Sequence, residues 1–144
     1  MDTGIIELAA REEWKEAYPV MKQLRPQHSE EAYVELVEEA QKKQDYKMFA
    51  LYQKEKIVSV IGFMPQITLY YGKFIWVCDL VTDSNVRSSG CGKELLTYVH
   101  NWAVSNGYNS IALSSGLQRE EAHRFYEKKL DYQKVSYVFK KDLT

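Results

Sequence analysis

The sequence predicts one α+β domain of ten elements in the order βααβββαβαβ, and three observations carry that expectation. The chain has 144 residues, 45% apolar and 27% charged, enough for a single core without disulfides or a structural metal. Apolar residues recur at helical spacing up to Ala40 and then, from Tyr46, gather in short runs rich in β-branched and aromatic side chains. A strongly apolar strand then leads through a loop with two glycines into a third helix.

Ile5, Ile6 and Leu8 mark the first strand. Trp14, Ala17, Tyr18 and Met21 follow at i, i+3, i+4 and i+7, one face of a helix that should end by Pro26, with Pro19 kinking it or splitting it in two. Ser29 suits an N-cap and Glu30 and Glu31 the positive end of the dipole of a second helix, whose stripe is Tyr33, Leu36, Val37 and Ala40. The charge run Glu38 to Lys43 reads as its solvated end. Met48 to Tyr52 and Ile57 to Met64 form a hairpin, Ile67 to Tyr71 extends its second strand beyond Pro65, and Gly72-Lys73 turns into a strand from Phe74 to Thr82. Leu95, Leu96, Val99, Trp102 and Ala103 restore helical spacing up to Gly107, a C-terminal cap. A strand over Ile111 to Ser114, a helix from about Arg119 to Leu130 and a closing strand Val135 to Phe139 complete the order. No linker or repeat interrupts it, so residues 1–144 are read as a single domain.

Nineteen basic against twenty acidic residues leave a net charge of -1, which gives no global field for nucleic acid or an anionic membrane. Cys78 and Cys91 form no CxxC pair, and three histidines make no zinc set, so no metal is expected. Met1 to Ala10 has no basic region followed by an apolar run, and no stretch approaches the roughly 18 apolar residues of a membrane span. A soluble cytoplasmic protein is the expectation.

The most informative segment runs from Asp79 through Arg87-Ser88-Ser89-Gly90-Cys91-Gly92-Lys93 into the third helix. Glycines at a helix start admit close approach of a ligand, and the amides of the first turn, with the positive dipole end, form an anion site. Arg87 and Lys93 add local charge, and together they point to phosphate; a turn whose glycines only relieve steric strain is the other reading. A Walker loop needs Gly and Ser or Thr where Arg87 and Glu94 stand. The dinucleotide fingerprint needs Gly where Leu95 stands, and it follows the first strand of a βαβ unit rather than a meander.

What remains, RSSGCG at 87–92, resembles the Arg/Gln-x-x-Gly-x-Gly/Ala loop of the GNAT acetyl-CoA-dependent N-acetyltransferases. AHRFYEKKLDY at 122–132 is similar to that family's last-helix signature, and the element order covers essentially the whole GNAT fold, a mostly antiparallel mixed sheet of about six to seven strands flanked by about four helices. Two positions depart from the pattern: Arg119 stands where many relatives carry Asn, and Asp131 where they carry Gly, although Asp tolerates a left-handed cap better than most residues.

The resemblance implies acetyl-CoA as cosubstrate, its pyrophosphate on the amides from Arg87 to Lys93 and its pantetheine arm beside Asp79 to Thr82, in a wedge between that strand and Ile111 to Ser114. A backbone N–H near Leu80 or Val81 would polarise the thioester carbonyl, and Arg119 bears on the pantetheine contact. Tyr126 matches the tyrosine that donates to the departing CoA thiolate. The acceptor amine must lose a proton before it attacks. Asp79 is the candidate base because an acid within an apolar run is costly to bury without a role; pairing with a nearby cation is the alternative, and His123 or a water relay also stays open. His28, Asp79 and Ser114 are candidate acceptor-site residues.

These implications make the chain an N-acetyltransferase acting on a primary amine, of a small molecule or a protein, by direct attack. A non-catalytic acyl-CoA-binding or sensor module on the same fold is the alternative. No nucleic acid or membrane partner is implied, and a homodimer is compatible.

Overall fold

The computed structural model describes residues 3–86, 90–116 and 119–144. They divide into two compact units, Met1–Ala112 and Leu113–Thr144. A five-stranded sheet in the order β1-β2-β3-β4-β5 is built from β1 (Thr3–Leu8), β2 (Lys47–Gln53), β3 (Lys56–Thr68), β4 (Gly72–Thr82) and β5 (Ile111–Leu113). β1 to β4 pair antiparallel, and Ile75 N–H reaches the Ser110 carbonyl at 3.1 Å, linking β4 to the chain that enters β5.

Helices α1 (Arg11–Leu24) and α2 (Glu30–Gln44) supply a core of Trp14, Ala17, Met21, Tyr33 and Val34 with Met48, Ala50 and Val60 of the sheet. Helix α3 (Cys91–Ser105) buries Leu95, Leu96 and Val99. Its Trp102 meets Phe63 edge-on at 5.0 Å, and its Tyr98 meets Phe49 at 5.5 Å. Because side chains alternate along a strand, the neighbours Gly62 and Phe63 face opposite layers, Phe63 towards α3 and Gly62 towards α1 and α2.

Pro19 does not split α1, which runs unbroken through it. The helix buries Trp14 and Ala17 before the proline and Val20 and Met21 after it, and that burial offsets a local cost of about 3 kcal/mol. At its end, Arg25 precedes Pro26, whose ring disfavours helical backbone at that position. Ser29 caps α2 as expected, its Oγ accepting from Ala32 N–H at 3.1 Å, and Gly107 takes φ 86 just beyond α3. Val34 is buried in place of Leu36, which is half-exposed. The turn expected at Gly72-Lys73 lies at residues 69–71, so β4 begins at Gly72.

In the second unit, α4 (Glu120–Arg124) passes into a π-helical turn, Phe125–Lys129, inside the single helix expected there. Asp131 adopts left-handed backbone with φ 59, the cap anticipated for it. The closing strand expected over Val135 to Phe139 is not formed, and residues 132–144 carry no regular secondary structure. Val135, Tyr137, Val138 and Phe139 are exposed there: strand propensity expresses fit to a half-buried pleated surface, and these side chains bury against none.

Candidate active site

β4 carries one more residue than its partner at the place where the acid sits. Phe63 pairs with Val77 and Gly62 with Asp79, which leaves Cys78 as a β-bulge. Val77 therefore shares the Phe63 face and Asp79 the Gly62 face, although the two are two residues apart. The bulge delivers Asp79 to the layer of α1 and α2.

There both carboxylate oxygens are engaged. Arg25 Nε donates to Asp79 Oδ1 at 2.9 Å, and Tyr46 Oη donates to Oδ2 at 2.8 Å. Arg25 Nη2 also donates to the Cys78 carbonyl at 2.9 Å, so one guanidinium from the end of α1 holds both the acid and the bulge. Tyr46 can lie across the sheet because Gly62, opposite Asp79, has no side chain; a Cβ there would collide with the phenol. Burial and the Asp79 charge push the Tyr46 phenol well above its ordinary pKa, which keeps it a donor. Burial likewise pushes the Cys78 thiol up to about 12.

Asp79 and Arg25 open into a cavity of about 240 Å³ bounded by α1, α2 and the sheet. His28 lines it too, and the His28 carbonyl accepts from Tyr18 Oη at 2.8 Å. Two of the candidate acceptor residues, Asp79 and His28, are thus brought to one cavity.

Beyond Asp79, Leu80 pairs with Ile61, Val81 with Val60 and Thr82 with Ser59. The fully buried Ser59 Oγ donates to the Val81 carbonyl and lies 3.0 Å from Thr82 Oγ1. The chain next enters a 3₁₀ turn, Ser84–Val86, held by α1: Gln23 Oε1 accepts from Ser84 N–H at 2.9 Å. Arg87, Ser88 and Ser89 of the expected phosphate loop lie outside the described residues. Gly90 follows with φ 82 as the α3 N-cap, and a Cβ there would meet nothing within 4 Å. The first bond of α3 is Glu94 N–H to the Gly90 carbonyl, so Cys91, Gly92 and Lys93 are its leading amides. Gly92 lies beside Thr82, where a Cβ would stand 3.5 Å from the threonine hydroxyl. This helix start fits an anionic phosphate in backbone chemistry.

In the second unit, Tyr126 is buried in the π-helical turn, 5.6 Å ring to ring from Tyr132. Burial raises its pKa, and the Arg119 charge at the start of α4 opposes the shift. A His123 ring nitrogen lies 2.9 Å from the Gly116 carbonyl. Ser114 is exposed beyond β5.

The sequence matches the acetyltransferase (GNAT) family over residues 8–132. The chain belongs to the GNAT family of acetyltransferases. Among relatives, the uncharacterized N-acetyltransferase YhdJ of Bacillus subtilis (strain 168) is 42% identical over 135 residues, 94% of this chain and 95% of its own. Solved structures share the GNAT fold. A transcriptional regulator from Bacillus halodurans C-125 aligns with a TM-score of 0.84 at 22% identity over 98% of this chain and 99% of its own. The aminoglycoside N-acetyltransferase AAC(6')-Iy, solved in complex with CoA, aligns with a TM-score of 0.84 at 16% identity over 99% and 95%. Among the described residues, no three or more His, Cys, Asp or Glu side chains stand together as a metal group, and no helix is long and apolar enough to cross a membrane.

Sequence reasoning missed Arg25, Tyr46 and Gly62 as parts of this candidate site. The signal for Gly62 was present: a lone glycine within the run Ile57 to Met64 marks a close approach to the backbone.

Proposed function

We propose that this GNAT chain, read as one domain over residues 1–144, transfers the acetyl group of acetyl-CoA to a primary amine by direct attack, without a covalent enzyme intermediate. The observation that supports this most is the bulge at Cys78. It turns Asp79 into a cavity while the next three residues of β4 run on towards the leading amides of α3.

Acetyl-CoA supplies the activated thioester. Gly90, Cys91, Gly92 and Lys93, with Arg87, Ser88 and Ser89 before them, bind its phosphates through backbone amides and local charge. Leu80, Val81 and Thr82 receive the pantetheine arm, with Arg119 as a further contact. A backbone N–H at Leu80 or Val81 steadies the carbonyl oxygen as it gains charge.

Asp79 takes the proton of the incoming ammonium, directly or through water. A carboxylate offers about four acceptor positions, and Arg25 and Tyr46 occupy two, so the acid is oriented and retains capacity. Tyr126 donates to the leaving sulfur, and the burial that raises its pKa keeps its proton in place at neutral pH.

The experiment is a thermal melt with acetyl-CoA, CoA and ATP, followed by thiol-release kinetics. CoA species at about 100 times their dissociation constant should stabilise the chain by roughly 2.7 kcal/mol, and ATP should not. Tyr126→Phe should lower kcat by about 10 to 10³-fold and leave the CoA-induced shift in place. CoA binding with no turnover of any amine would instead assign a sensor module.

A further inference from the structure

The cavity beside Asp79 has a composition that selects its ligand. Met21 of α1, Leu36, Val37 and Ala40 of α2 and Met64 of β3 wall it with hydrocarbon and thioether. Asp79 is the one carboxylate among its described lining residues, and Arg25 pairs with it at 2.9 Å, so the acid and its cation sum to zero formal charge. Gln27, His28 and Tyr33 also line it without adding a carboxylate, so a second ammonium within the cavity would have no opposite charge to meet. An apolar cavity of about 150 Å³ accommodates benzene. At about 240 Å³ this one has room for a single ring or branched alkyl group on a short arm. The two methionines can adapt to its outline.

We infer that the acceptor is a compact primary monoamine with an apolar aliphatic or aromatic body, seated against Leu36, Val37 and Met64 with its nitrogen at Asp79. The inference rests on the acetyltransferase reading for what happens to that nitrogen, and on the cavity for which molecule enters. Leu36 is the informative wall residue: it is half-exposed on α2, so a charged replacement can be carried without disturbing the core.

The test uses the intact chain with 2-phenylethylamine and isoamylamine against spermidine and kanamycin. Amine binding is read by thermal shift without acetyl-CoA, and transfer by thiol release with it. The apolar monoamines should show kcat/KM at least about tenfold above both polycations, and Leu36→Lys should lower that value by about tenfold or more while the CoA-induced shift persists. Equal or better use of spermidine or kanamycin would overturn the inference, as would an unchanged kcat/KM for 2-phenylethylamine in Leu36→Lys. Binding of 2-phenylethylamine that Leu36→Lys abolishes, with no transfer to any amine, would keep the ligand class and overturn the transferase reading. Transfer to the polycations alone would keep the transferase and overturn the ligand class.

Discussion

Gly62 carries no side chain, and the phenol of Tyr46 lies where one would be. Gly62→Ala therefore forces the phenol off Asp79, an overpacking that should cost about 1–3 kcal/mol. In Tyr46→Phe the ring stays but the hydroxyl that a new methyl would strike first is gone, at the expense of a hydrogen bond to a charged group worth about 1.5–3 kcal/mol. The double variant should be more stable than the sum of the two single losses, and a double-mutant cycle of urea midpoints measures that coupling; strict additivity would mean that the two residues do not compete for the same space. Asp79 stood out in the sequence as an acid in an apolar run, whereas Arg25 did not. Its partner is 54 positions away, and only the return of β4 past the end of α1 makes them neighbours. Tyr46 was equally hidden, one of 11 tyrosines until Gly62 singles it out.

Among the elements, those with local signals were legible. Ser29, the acidic first turn and the stripe of α2 announced a helix, and the cap is present. Ser29→Ala should cost about 1 kcal/mol, seen as a melting temperature lower by about 3 °C, because Ala32 N–H loses its acceptor. An unchanged melt would show that water replaces the hydroxyl without penalty. The split offered as one outcome at Pro19 did not occur for the opposite reason: the local rule about proline is sound, but burial on both sides of it keeps the helix continuous. Val135 to Phe139 read as a strand because composition reports side-chain type, and type says nothing about whether a partner strand is within reach.

For the whole chain, the phenols and the thiol around Asp79 set a limit on alkaline stability. Tyr33 and Tyr46 are held above their ordinary pKa by burial and by the Asp79 charge, and Cys78 is pushed up to about 12. Between the ordinary values and the raised ones, the unfolded chain has released protons that the native chain still holds, so stability falls as pH rises. The contribution is complete below about pH 8, where the thiol of an unfolded chain begins to ionise, and each group removes about 1.4 kcal/mol per pH unit beyond its unfolded value. Urea midpoints should be flat to about pH 8, decline gently as the unfolded thiol ionises and fall steeply above about pH 10, and Tyr33→Phe should make that steep slope shallower. A slope that Tyr33→Phe leaves unchanged would place the titrating groups elsewhere. The antiparallel topology of β2 to β4 was legible at this scale because a meander is written in consecutive runs, whereas the pairing of β1 with β2 spans two intervening helices and was not. The face on which Asp79 sits was not, since strict alternation puts it with Val77.

The bulge also bears on how chains of this kind should be compared. Val77 and Asp79 oppose consecutive residues of β3, so the ladder would close over the loss of Cys78 without changing either pairing. A relative one residue shorter here would still present its acid to the same layer, one step nearer the hairpin in sequence. The gap between two such sequences belongs at Cys78, in mid-strand. Placed in the loop that follows β4, it would align Asp79 with the residue after the relative's acid and hide the residue they have in common.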